Sequence, residues 1–139
     1  MTDKKLEISF KSDFCKVKKI VNDILIFISQ ADISEEELFD MKLMLCELIF
    51  NAIIHGNRQN NQKNVYVSVE IKDGAILTAV SDEGSGFDYT NFIKTLSTES
   101  NLYNENGRGI RLILSLADDV SFNKNGSEIK FLKKVTIHG

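Results

Sequence analysis

Three clusters in this chain carry side chains able to act on a ligand together. Glu47, Asn51 and His55 recur at intervals of four, which lines polar groups along one face of a helix. A carboxylate and an amide one turn apart can hold Mg²⁺ through the Asn51 oxygen, leaving Glu47 to orient or deprotonate an attacking hydroxyl or water. A solvated helix edge also accounts for the pair, although asparagine inside a helix is a mild cost. His55, beside Gly56, reads more simply as a C-terminal helix residue interacting with the dipole than as a base.

The second cluster is Ser81-Asp82-Glu83-Gly84-Ser85-Gly86-Phe87, which follows an apolar run. Its glycines let backbone approach a flat or anionic ligand, and Asp82 offers a fixed acceptor. An ordinary turn explains it equally well. It is not a phosphate-binding Walker motif, and the dinucleotide pattern fails because position 89 is Tyr. The third cluster, Gly107-Arg108-Gly109, is followed by an apolar run at helical spacing. N–H groups at a helix start make a phosphate site, and Arg108 adds a charge-matched fork; a helix start that needs flexible backbone is the plainer reading. Arg111 and the other basic residues are expected on the solvated surface.

These clusters need elements to position them. Leu6, Ile8 and Phe10 alternate with polar residues, which predicts a strand over 4–10. Ser12 or Asp13 then caps a helix from Phe14 to about Ser29, with Phe14, Val17, Ile20, Val21, Ile24, Leu25 and Ile28 inward and Lys16, Lys18 and Lys19 outward. Ser34 and Glu37 form a capping box for a second helix ending near Gly56, whose core face is Leu38, Met41, Leu45, Leu48 and Ala52. Two alternating runs, 65–71 and 75–81, flank Asp73-Gly74 as a hairpin. Residues 88–106 are mixed and polar and predict a mobile connection. A helix from Gly107 and a closing hairpin about Asn125-Gly126 complete the chain. The order β, α, α, β, β, loop, α, β, β predicts an α+β two-layer sandwich, with helices on one face of a mixed, mostly antiparallel sheet.

At 139 residues a single domain over 1–139 is expected. The net charge of −3 argues against nonspecific nucleic-acid binding. Cys15 and Cys46 form no metal-type pair and read as small core residues of a reduced compartment. Without an export signal or an apolar run near the ~18 residues of a membrane helix, a cytoplasmic location and no membrane contact are expected.

In order, E47-x-x-x-N51-A-x-x-H55-G, D82-x-G84-x-G86-F and G107-x-G109-I-x-L-I-x-x-L-x-D-x-V resemble the N, G1 and G2 boxes of the GHKL ATPase superfamily. The likeness is closest to the small bacterial anti-sigma factor serine/threonine kinases, and it covers nearly the whole chain. The resemblance implies ATP and Mg²⁺, with Glu47 as general base, Asn51 as metal ligand and Asp82 as partner of the adenine amino group. Gly84 and Gly86 would shape the pocket, and Gly107, Arg108 and Gly109 would lie against the phosphates under a lid over about 88–106. Ser127 keeps a hydroxyl where relatives often carry Thr. Ala117 stands where relatives commonly carry Met, before Asp118 and Asp119. The partners implied are a sigma factor, an anti-sigma factor antagonist of the STAS type and a second copy of the chain, dimerising through the first strand and helix. The alternative is a nucleotide-dependent partner-binding regulator without kinase turnover. A histidine-kinase fragment is disfavoured, because neither His55 nor His138 lies in a preceding helical hairpin.

Overall fold

A computed structural model describes residues 4–84, 105–123 and 127–135. Strand β1 (Lys4–Lys11) leads to α1 (Phe14–Ile28), whose N-cap is Asp13; its carboxylate accepts from the Cys15 N–H at 2.9 Å. A 3₁₀ turn over Ser29–Ala31 ends with Asp32 in the left-handed region, φ 55°. Helix α2 (Glu35–Asn51) starts at the expected capping box: Ser34 Oγ accepts from the Glu37 N–H and Glu37 accepts from the Ser34 N–H, both at 3.1 Å. Strands β2 (Asn64–Lys72) and β3 (Ala75–Asp82) are joined by Asp73 and Gly74, φ 51° and 75°. Two left-handed residues in a row are what a type I′ hairpin turn requires. Helix α3 (Glu105–Leu116), β4 (Asp119–Asn123) and β5 (Glu128–Lys134) follow.

The sheet order is β1-β2-β3-β5-β4, and all four ladders are antiparallel. This narrows the expected mixed, mostly antiparallel sheet to an antiparallel one. The register lines up Ile8, Val67, Val80, Ile129 and Phe122 as one cross-strand row, and Leu6, Val69, Thr78, Phe131 and Val120 as the next. That face is buried against Val17, Val21, Ile24 and Ile28 of α1, Met41, Met44, Leu45, Leu48 and Ile49 of α2, and Ile110 and Ile113 of α3. The other face carries the row Glu7, Ser68, Ala79, Lys130 and Ser121. Helices on one face are therefore dictated by the period-two pattern of the strands.

Some inward assignments differ from expectation. Phe14 is 43% exposed and lies on the rim of α1, its ring 5.8 Å from that of Phe50. Cys15 is exposed and not a core residue, whereas Cys46 is half-buried and packs against the core. The buried stripe of α1 starts at Val17, which leaves the first helical turn outside the core. Burial does push the Cys46 thiol above its ordinary range, against the opposing pull of the Lys42 ammonium. Arg111, expected on the solvated surface, is half-buried in α3. Among the described residues no helix is long and apolar enough to cross a membrane.

Candidate functional site

Helix α2 presents Glu47 and Asn51 one α-helical turn apart, both half-buried. The core face beside them, Leu48 and Ile49, fixes the helix rotation and hence the direction of this strip. The geometry then changes. Residues Ala52–Gly56 form a π-helical turn, closed by the Asn57 N–H donating to the Ala52 carbonyl at 2.8 Å. A wider turn rotates the strip, so His55 does not continue the α-helical face of Glu47 and Asn51; it is exposed. Such turns interrupt α-helices frequently at functional sites.

The loop after β3 meets this turn directly. Asp82 is the last residue of β3, and its N–H donates to the Ser127 carbonyl at 2.9 Å. Its Oδ1 accepts from the Gly84 N–H at 2.8 Å. The carboxylate packs against Gly56 so closely that a methyl group there would fall on its oxygens, and a side chain on Gly84 would strike the Gly56 carbonyl. The two glycines are thus needed for the fit of helix end to loop. Gly84 thus makes a close approach to protein as well as lying in the loop expected to face a ligand. Loss of hydration raises the Asp82 pKa above its ordinary value; the Gly84 N–H and the Lys63 ammonium pull the other way.

The structure thus brings Asp82, Gly84 and Ser127 together, with Gly56 against them and Asn51 five residues back along the same helix. Gly107, Arg108 and Gly109 lie within the first turns of α3, which starts at Glu105, two residues before the expected start. That start also falls inside the segment 88–106 expected as a connection; residues 88–104 and Gly86 lie outside the described residues. The unsatisfied N–H groups of a helix start occupy its first four residues, which here include Gly107 and Arg108. Helix α3 packs on α2, so this N-terminus belongs to the same layer as Glu47 and Asn51.

Sequence reasoning missed the group that holds the loop from behind. Asn57 is 1% exposed, and its amide donates to Ser12 Oγ at 2.6 Å and to the Asn64 carbonyl at 2.9 Å while accepting from the Glu83 N–H at 2.8 Å. The Glu83 carboxylate in turn accepts from the Asn64 N–H and, at 3.4 Å, from the Tyr66 hydroxyl. The only local sign of Asn57 is its place directly after His55-Gly56; within N57-R-Q-N-N-Q it resembles a solvent loop.

As to a metal, no group of three or more His, Cys, Asp or Glu side chains able to hold one occurs among the described residues. A dedicated cage is not what Mg²⁺ on a nucleotide needs, since it keeps waters and binds mainly through phosphate with one or two protein oxygens. A single half-buried amide oxygen at Asn51 fits that chemistry.

A family model described as a histidine kinase-like ATPase domain matches residues 10–133. An anti-sigma F factor of Bacillus subtilis is 32% identical over 114 residues, covering 79% of this chain and 78% of the relative. An anti-sigma F factor of Bacillus licheniformis is 33% identical over 100 residues, covering 71% and 68%. Among solved structures, the RsbU and RsbW domains of a Mycobacterium tuberculosis protein superpose with a TM-score of 0.68 at 12% identity, over 95% of this chain. This chain spans 32% of that one, and the likeness shows the fold.

Proposed function

The chain belongs to the histidine kinase-like ATPase family, and from that premise we propose that it is an ATP-dependent anti-sigma factor and serine/threonine protein kinase. In this reading it sequesters a sigma factor and phosphorylates an antagonist protein, as a single domain over 1–139 acting in the cytoplasm as a homodimer. Support for sigma-factor binding is the likeness to two anti-sigma F factors over more than two thirds of each. The kinase step is supported by one observation above the others: Glu47 and Asn51 stand one turn apart on α2, at the end of which Asp82 is docked.

The residues divide the work. Asp82, an acceptor with a fixed direction, meets the adenine amino group, and Gly84, Gly86 and Ser127 shape that end of the pocket. Gly107, Arg108 and Gly109 meet the phosphates with N–H groups, the helix dipole and a guanidinium. Asn51 would hold Mg²⁺, which supplies charge neutralisation on the phosphates. Glu47 orients the serine or threonine hydroxyl and takes its proton as the oxygen bonds to the γ-phosphorus. The bond from that phosphorus to the bridging oxygen breaks, and ADP leaves. The connection over about 88–106 would supply the lid.

The test is transfer of labelled γ-phosphate to the STAS-type antagonist that co-purifies with the chain from its host, with the phosphosite read by mass spectrometry. Label on serine or threonine is expected. ATP binding with no label on any co-purified protein would instead leave a nucleotide-dependent sequestering module.

A further inference from the structure

Asp82 can select a base only if its carboxylate points in one direction. Its direction is set by the backbone on either side. On one side its own N–H is fixed to the Ser127 carbonyl at 2.9 Å, and on the other the Gly84 N–H returns to Oδ1 at 2.8 Å. Between them lies Glu83, whose side chain is exposed and turned toward β2, where it accepts from the Asn64 N–H and the Tyr66 hydroxyl. The Glu83 N–H goes to the buried Asn57 amide at 2.8 Å. Asn57 is itself buried and held twice over, by its bond to Ser12 Oγ after β1 and by its bond to the Asn64 carbonyl at the start of β2, so that loss of the Ser12 bond still leaves it packed and tied to β2. Ser12, 4% exposed, is anchored again by donating to the Lys63 carbonyl at 2.9 Å.

We propose that Asn57 is a positioning residue for base selection: by holding the Glu83 N–H it aims Asp82, and so sets the preference for a purine with an exocyclic amino group over one with an oxygen there. The inference rests on Asp82 meeting the adenine amino group. An ionised carboxylate only accepts, so it bonds an amino group and opposes a carbonyl oxygen in the same place. A fixed polar group rejects the mismatched ligand because both acceptors then lose their partners. A loop free to swing would let Asp82 turn to water, and the rejection would fade.

The experiment compares Asn57→Ala with Ser12→Ala by calorimetric titration with ATP and with inosine triphosphate, which carries oxygen in place of the adenine amino group. Ser12→Ala removes one bond of Asn57 and the Ser12 bond to the Lys63 carbonyl without touching Glu83, so it reports what scaffold damage alone does. The expected result is a wild-type preference for ATP that Ser12→Ala keeps within about twofold and Asn57→Ala lowers by about tenfold or more, the size of one hydrogen bond to a charged group. Amide exchange gives a readout without nucleotide: the Gly84 N–H should lose protection in Asn57→Ala and keep it in Ser12→Ala. If Asn57→Ala melts too low to purify, Glu83→Ala loosens the other tether of the same residue from the exposed side and should lower both quantities.

A wild-type ATP preference retained in Asn57→Ala or Glu83→Ala, or an equal loss in Ser12→Ala, overturns the inference while leaving the proposed site standing. A wild-type protein that binds both nucleotides equally removes the adenine role of Asp82, and the inference with it.

Discussion

Asp82 and Glu47 are assigned to opposite ends of one nucleotide, and the protein holds them differently. Asp82 sits in a mesh that joins β1, the end of α2, the start of β2, β3 and Ser127 through hydrogen bonds at named distances. The side chains of Glu47 and Asn51, among the described residues, have no hydrogen bond or ion pair; their placement comes from the core packing of α2 alone. A group that must recognise one pattern of donors benefits from rigid aim. In the proposed mechanism a base that would follow a moving proton, and an amide that would share a cation with phosphate, need their lone pairs free. On the proposed assignment the site is thus rigid where it would select and open where it would react.

The sharpest way to break this contrast is Glu47→Ala. Loss of a general base should lower phosphate transfer by about 100- to 10,000-fold, while ATP affinity, measured by titration, stays within about threefold. Equal loss of affinity and transfer would mean that Glu47 belongs to the binding end after all. Gly56→Ala should do the reverse. Its methyl group would fall on the Asp82 carboxylate, and overpacking of about 1–3 kcal/mol corresponds to a loss of about 5- to 150-fold in ATP affinity if the strain is relieved by turning Asp82 aside. Transfer at saturating ATP should change far less, and a fall in transfer with unchanged affinity would refute the division.

The helix that carries Glu47 and Asn51 was legible in the sequence because its signals are periodic and local. Glu47 and Asn51 are four apart on a helix whose capping box and core stripe are written within α2 itself. The Asp73-Gly74 turn, likewise, is read from two residues. Asn57 was illegible because its partners are 45, 26 and 7 residues away in sequence. Nothing in the run N57-R-Q-N-N-Q distinguishes a buried amide from a solvated one; the difference lies in strand register and in a π-helical turn that no propensity marks. The glycines showed the same limit. Gly56 and Gly84 stood out, but that each makes room for the other's segment could be known only once helix end and loop were seen in contact.

Protonation sharpens the contrast further. The raised pKa of Asp82, caused first by its loss of hydration, means that the native state holds this proton more tightly than the unfolded chain. A raised folded pKa contributes stability that is complete below about pH 4, the unfolded value, and is lost as pH rises through the folded value. Asp82→Asn removes that dependence while keeping an oxygen for the Gly84 N–H. Denaturant titrations should therefore show the variant gaining on wild type as pH rises above about 4, by a modest amount since the carboxylate is half exposed and screened. ATP affinity should move oppositely: in wild type it falls as acid protonates Asp82, and in Asp82→Asn it is already low and flat. A pH-independent difference in stability between the two proteins would remove the burial argument.

The smallest effect concerns how the mesh is reached. Directly after Asn57 the chain places Arg58 and Gln59 in the left-handed region, φ 52° and 61°, where a side chain is disfavoured by about 1–2 kcal/mol per residue. The reversal these two angles produce is what keeps Asn57 inside while the chain turns back toward β2. The Gln59 side chain is exposed, and its N–H donates to the Ile53 carbonyl at 2.7 Å, a bond glycine would keep. Gln59→Gly relieves the backbone at the cost of more freedom in the unfolded chain, so a net gain of about 0.5 kcal/mol is expected by chemical denaturation, with ATP affinity unchanged. A loss of stability would mean that the Gln59 side chain supports the reversal, whereas a loss of affinity alone would show that strain at this turn is transmitted to Asp82.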